Sequence, residues 1–217
     1  MSDKLVLTRS GSGIAVKIAA LLGWFALILQ LCLILASRWQ GGKSLLGGVD
    51  IFFSYFTVLT NILVALVLSY AATSGDSALR RFFLNPKVQG GVAAAIVLVG
   101  LAYNLLLRHV WDPQGWQWVA DELLHDVMPL VFMFYWWFCV PKAPLQWRDI
   151  GPWLLYPLAY FIYALVRGAI VDAYPYPFIE VNTLGLTQVL INAVMVLVGF
   201  VLVSLVVVAL DRRKGTR

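Results

Sequence analysis

The sequence predicts an all-α fold, a polytopic membrane protein built as a six-transmembrane-helix bundle, on three observations. Hydrophobic residues make up 61% of the chain and charged residues only 12%, whereas a soluble domain carries about 25% charge to face water. Mean hydropathy is +0.84. Six apolar runs, each near the ~20 residues that cross a bilayer, fill most of the 217 residues. The bilayer admits helices or closed barrels, because an open sheet leaves backbone groups unsatisfied in hydrocarbon. The connectors are too short to hold a soluble domain, so residues 1–217 read as one six-helix membrane domain.

Taken in order, the run at 14–36 exceeds a signal-peptide core of ~7–15 residues and lacks a small-x-small cleavage site, so it reads as a retained first helix. The second run, 51–72, follows Asp50 and carries Ser54, Thr57 and Asn61. On one continuous helix those four fall within an arc of about 60°. The third, 88–107, ends with Asn104 and Arg108 one turn apart. The fourth, 123–140, follows Asp121 and opens with His125 and Asp126, with Pro129 four residues after the histidine. Proline removes the donor for the residue-125 carbonyl and predicts a kink just below His125. The fifth, 153–170, carries Tyr156, Tyr160, Tyr163 and Arg167 along one stripe, and the sixth spans 186–210.

Charge sets the expected orientation. Lys4, Arg9, Arg80, Arg81, Lys87, Lys142, Arg148, Arg212, Arg213, Lys214 and Arg217 collect on one side, and Arg38, Lys43, Arg108 and Arg167 on the other. Eleven against four predicts both termini cytoplasmic and a multi-pass plasma-membrane protein in contact with membrane lipid. The same scatter argues against a nucleic-acid partner despite a pI near 9.3, because no basic stripe forms. Cys32 and Cys139 fall at opposite ends of the predicted bundle, out of reach of each other. Oligomeric state is not legible.

Ionisable and polar residues inside spans are expensive and mark function by default, although Ser, Thr, Asn and Tyr also glue helices together. Here the stripes gather in the outer half of the predicted bundle, which points to a polar cavity lined by the second to fifth spans. His125 is the one histidine inside an apolar run; neutral imidazole is the usual general base near pH 7. Asp121 or Asp126 can orient it. His109 falls in a loop. Two histidines without a neighbouring third His or Cys argue against a transition-metal site, and no cofactor is expected.

Three segments carry a resemblance: Ser54-Tyr55-Phe56-Thr57-Val58-Leu59-Thr60-Asn61, Leu124-His125-Asp126-Val127-Met128-Pro129, and Tyr174-Pro175-Tyr176-Pro177-Phe178-Ile179-Glu180. With six runs in about 220 residues, the chain resembles the bacterial predicted six-transmembrane membrane-protein family. It is more remotely similar to the eukaryotic androgen-induced and androgen-dependent tissue-factor-pathway-inhibitor-regulating proteins. Those relatives are membrane threonine hydrolases of fatty acid esters of hydroxy fatty acids. The resemblance implies Thr57 as nucleophile and His125 as its base, and puts Tyr176, Pro177, Phe178 and Glu180 on the family's Tyr-Pro-Phe-x-Glu segment. One departure is the His125-to-Pro129 spacing, a residue shorter than in those relatives. Thr60, one turn from Thr57, is a second candidate nucleophile.

On that reading Asn61 or Asn104 donates to the developing oxyanion, and Arg108 or Arg167 holds a fatty carboxylate unless it anchors to lipid phosphate. Tyr163, Tyr176 and Glu180 complete the expected substrate contacts. Thr57 and His125 must then lie within about 3 Å of each other, with Glu180 and Arg167 bordering the same cavity. The competing class is a non-catalytic membrane protein: a small-molecule carrier, a lipid-binding module or a subunit of a complex.

Overall fold

The computed structural model describes residues 10–142 and 145–215, the side chains of residues 10–12 excepted. Lys4, Arg9 and Arg217 of the charge bias lie outside the described residues. Among the described residues all regular structure is helical. Nine α-helices follow in order: α1 (Ser10–Gln40), α2 (Leu45–Ser54), α3 (Phe56–Ala72), α4 (Ala78–Phe83), α5 (Pro86–Ala102), α6 (Trp116–Glu122), α7 (Met128–Cys139), α8 (Ile150–Val171) and α9 (Val181–Gly215). Among the described residues, four stretches are long and apolar enough to cross a membrane: Gly13–Gln40, Pro86–Leu107, Trp147–Val171 and Val181–Gly215. The pair α2 and α3 makes a fifth if its 78° bend is counted within one span.

Local signals place several ends. Ser44 caps α2 by accepting from the Gly47 amide, and Asn85 caps α5 from the Lys87 amide, with Pro86 in the first turn where no donor is needed. In α9, Gly185 holds φ 73 and separates a first turn from the long rod that begins at Leu186.

α5 runs through the middle, with Val92 to Ile96, Leu98 and Val99 all buried, and it packs against α3, α7 and α9. Small residues permit this. A Cβ on Gly91 would meet the Trp153 ring at 2.8 Å, and one on Gly23 of α1 would meet Met128 at 3.0 Å. Close approach through small residues is the usual packing device when hydrophobic burial cannot drive association.

Two departures from a plain bundle shape the interior. First, the expected single helix over 51–72 is two rods broken at Tyr55, whose backbone is extended (φ −87, ψ 128), so Asp50 and Ser54 do not share one helical arc with Thr57 and Asn61. The tyrosine stripe of α8 sustains the break: Tyr160 donates to the Ser54 carbonyl at 2.9 Å and Tyr163 to that of Phe53 at 3.5 Å. Those carbonyls are among the four a helix end leaves without partners.

Second, the kink expected below His125 is a π-helical turn, Leu123–Val127, which joins α6 to α7 into one helical stretch from Trp116 to Cys139. Pro129 offers no donor to the His125 carbonyl, which instead faces Gly100, where a Cβ would sit 3.1 Å from that oxygen. A matching π turn, Tyr103–Leu107, ends α5. There the Asn104 side-chain amide donates to the Gly100 carbonyl at 3.0 Å, competing with the backbone ladder. Such turns concentrate at functional sites.

Candidate active site

The break at Tyr55 puts Thr57 at the second position of a new helix, α3. First-turn amides of a helix have no intrahelical acceptor and carry its positive dipole end. The Thr57 amide donates instead to the Tyr176 hydroxyl at 3.3 Å. The Thr57 hydroxyl lies 3.2 Å from His125 Nε2 and 3.3 Å from the same Tyr176 hydroxyl. Behind it, the Asn61 amide donates to the Thr57 carbonyl at 2.9 Å and to the Leu124 carbonyl at 3.1 Å, pinning α3 to the π turn that carries His125.

The histidine tautomer follows from its partners. Nδ1 sits 2.9 Å from the Asp121 main-chain carbonyl, which can only accept, so the proton is on Nδ1 and the Nε2 lone pair faces the Thr57 hydroxyl. The Asp121 carboxylate lies 3.4 Å from Nδ1, placed to stabilise an imidazolium when Nε2 takes a proton. Thr57 is 7% exposed, Asp121 6% and the His125 side chain 12%, so little solvent screens the constellation.

Two cavities meet at this pair. One of about 440 Å³ runs between α5, α8 and α9 and is lined almost wholly by apolar side chains, among them Leu98, Ala102, Phe161, Ala193 and Leu197. The other, about 240 Å³, is more polar, with Gln30, Tyr55, Trp111, Gln117 and Asp121 in its wall. Thr57, Tyr103, Leu107, His125 and Tyr176 line both. The larger is of the size that holds a small-molecule ligand. Its wall includes α9, beyond the second to fifth spans from which the sequence builds a cavity.

The remaining predicted site residues lie elsewhere. Asp126 pairs with Arg108 at 2.5 Å and accepts from the Asn104 amide at 2.8 Å, so Asp121 and not Asp126 is the carboxylate at His125. Both amides proposed for an oxyanion, Asn61 and Asn104, are committed to carbonyl or carboxylate oxygens. Thr60 is fully buried, bonds the Tyr156 hydroxyl at 2.9 Å and lines neither cavity. Arg108, Tyr163, Arg167 and Glu180 line neither cavity, against the expectation that Arg167 and Glu180 border it. Arg167 is taken up by Asp50 at 2.6 Å and the Ala173 carbonyl at 2.6 Å, which fastens the loop after α8. The Glu180 carboxylate accepts from the Asn182 backbone N–H at 3.3 Å.

Sequence reasoning missed Tyr103, whose ring lies on His125, and the pair Gln30–Gln117, joined at 2.9 Å in the polar cavity wall. Gln30 is a polar residue in the middle of the first apolar run, which is a legible signal. Tyr103 carries none.

Compared with protein-family models, curated proteins and solved structures, the chain has no match.

Proposed function

We propose that the chain is an intramembrane hydrolase of fatty-acid esters, of the kind its sequence resemblance implies, with esters of hydroxy fatty acids as the first substrates to try. Thr57 is the nucleophile and His125 its base. The observation that carries this reading is the Thr57–His125 pair at 3.2 Å with the lone pair of Nε2 facing the hydroxyl.

A threonine hydroxyl at its ordinary pKa is too weak a nucleophile alone and needs an adjacent base. His125 Nε2 takes the Thr57 proton as the oxygen attacks the ester carbonyl. The resulting imidazolium, held by the Asp121 carboxylate, returns that proton to the departing alkoxide as the C–O bond breaks. Water then enters, gives its proton to Nε2 and attacks the acyl-threonine; the proton returns to Thr57 as the free acid leaves. The apolar cavity suits the acyl chain, and the more polar one the alcohol portion and the water.

The membrane disposition belongs to the same proposal: six spans, both termini cytoplasmic, in the plasma membrane. The 24 helical residues from Trp116 to Cys139 supply the span that length and hydropathy alone omit, at about 36 Å for 1.5 Å per residue. Lys87, Lys142, Arg148, Arg212, Arg213 and Lys214 favour the cytoplasmic face for the end opposite Thr57.

The test is purified protein in detergent with 4-methylumbelliferyl octanoate. Turnover that disappears in both Thr57→Ala and His125→Ala supports the mechanism; turnover unchanged in both overturns it. The apolar lining of the larger cavity also favours a second reading, a lipid-binding module without turnover. Stoichiometric retention of a fatty ester with no hydrolysis would select it.

A further inference from the structure

A tetrahedral adduct on Thr57 places a negative oxygen beside the nucleophile, and that oxygen needs a donor already aimed at it. Neither asparagine has an amide free for it. One other donor stands at the hydroxyl. We propose that Tyr176 is a catalytic residue, the oxyanion donor, its hydroxyl fixed by the Thr57 amide and its proton directed to the substrate carbonyl oxygen; this rests on the hydrolase reading above.

The hydrogen-bond inventory supports the direction. The Tyr176 oxygen accepts from the Thr57 N–H at 3.3 Å, and the Thr57 hydroxyl proton is directed to the Nε2 lone pair of His125, so the phenol proton is the one left to give. In the resting site that proton has the Thr57 oxygen within reach, also at 3.3 Å. When a carbonyl carbon bonds to Oγ1, its oxygen comes to lie next to Oγ1, on the wall Tyr176 shares with both cavities. The amide behind the phenol belongs to the first turn of α3, where the helix dipole favours negative charge. Tyr176 thereby relays that dipole to the reacting oxygen. The break at Tyr55 is what makes the arrangement possible, since an uninterrupted helix would spend the Thr57 amide on its own ladder.

The ring is held for the task. Tyr176 stacks on Phe178 (centroids 5.1 Å, planes 7° apart) and meets Tyr55 edge-on at 5.7 Å. Pro175 and Pro177 fix φ on either side, and Asn192 of α9 anchors the Phe178 carbonyl at 2.8 Å. Burial pushes the phenol up to about 12 despite the opposing hydrogen bonds with Thr57 and the Phe56 backbone. It is therefore fully protonated at neutral pH, as a donor must be.

The experiment uses the full chain in detergent with 4-methylumbelliferyl octanoate. Tyr176→Phe keeps the ring packing and deletes the donor, and kcat should fall about 100- to 1000-fold with KM nearly unchanged. A kcat within about fivefold of the parent protein, while Thr57→Ala is inactive, overturns the Tyr176 assignment and leaves the hydrolase reading standing. Should Tyr176→Phe fail to fold, 3,5-difluorotyrosine at position 176 retains ring and hydroxyl while making the phenol more acidic. The alkaline limb of the kcat–pH profile should then move to lower pH, because only the protonated phenol donates. An unmoved limb overturns the assignment, since a purely structural hydroxyl has no such signature. A parent protein inert on every ester overturns the hydrolase reading and this assignment together.

Discussion

The Tyr103 ring lies flat against the His125 imidazole, centroids 4.1 Å apart and planes 20° from parallel, and each residue stands on its own π-helical turn. The Arg108 guanidinium also lies over the Tyr103 ring, 4.9 Å from its centroid. The stack therefore fixes the plane in which Nε2 meets Thr57, while the Tyr103 hydroxyl donates to the Asp121 carboxylate. Tyr103→Phe keeps the stack and loses only the hydroxyl's bond to Asp121, so its kcat should stay well above that of Tyr103→Ala, which removes a buried aromatic at a cost of about 3 kcal/mol and lowers kcat at least tenfold. Detergent melting curves and ester kinetics on the two variants check this; equal kinetics for both would refute it.

Gly168 decides where Tyr176 can be. A Cβ there would fall 2.2 Å from the Tyr174 ring, so the absence of a side chain is what lets the loop fold back across α8. Gly168→Ala should displace Tyr174 and, through the rigid Tyr-Pro-Tyr-Pro segment, carry Tyr176 away from Thr57. Esterase activity should fall at least tenfold, whereas Gly151→Ala on the same helix, whose Cβ meets nothing within 4 Å, should leave it unchanged. Activity retained in Gly168→Ala would show that the loop has slack this geometry denies it.

Thr57 and Thr60 are one turn apart in sequence and differ in what they face. The Thr60 hydroxyl is spent on Tyr156 at 2.9 Å inside a fully buried site. Thr60→Val should therefore cost about 1–2 kcal/mol by leaving the Tyr156 hydroxyl unpaired and retain turnover. Thr57→Val should abolish it. The reverse ranking would transfer the nucleophile to Thr60.

What the sequence disclosed, and what it withheld, follows the same physics. Runs of apolar residues reveal spans because the bilayer imposes length and composition, and Pro129 announced a disturbance at His125 because a missing donor is a local property. The break at Tyr55 has no such marker. No proline or glycine stands there, and the break depends on Tyr160 and Tyr163 arriving from α8, more than 100 residues away in the chain. The same holds for Asn61, whose bond to the Leu124 carbonyl is settled only by packing. Arg167 and Glu180 were legible as charged residues near the site, yet Asp50 and the backbone claim them first.

Lys142 supplies a pH dependence remote from the reaction. It follows α7, reaches back to the Trp136 carbonyl and lies 3.7 Å over the Trp136 ring. Burial draws its ammonium from 10.5 down to about 8, against the opposing pull of the Asp211 carboxylate. Between those values the unfolded chain holds a proton that the folded chain has released, so stability rises with pH across the window and is flat below it. Unfolding midpoints in detergent from pH 7.5 to 9.5 should climb for the parent protein relative to Lys142→Met. Parallel curves for the two would show that Lys142 keeps its proton in the fold.

The larger cavity gives the most direct reading of substrate shape. Its wall between α5 and α9 is set by Leu98 and Ala193 on facing helices, and apart from Thr57, His125, Tyr103, Tyr160 and Tyr176 the residues that line it are apolar. Each methylene buried there contributes about 0.8 kcal/mol, so kcat/KM should rise about 15-fold per added pair of carbons until the cavity is full and then level off. Ala193→Phe takes up part of that space without touching the reacting groups. The plateau should therefore move to a shorter chain, with octanoate and longer esters losing rate while butanoate keeps it. Rates measured across a series of 4-methylumbelliferyl esters decide the matter. If Ala193→Phe lowers every chain length by the same factor, the acyl chain does not occupy this cavity, and the smaller polar one beside Gln30 and Gln117 becomes the place to look for it.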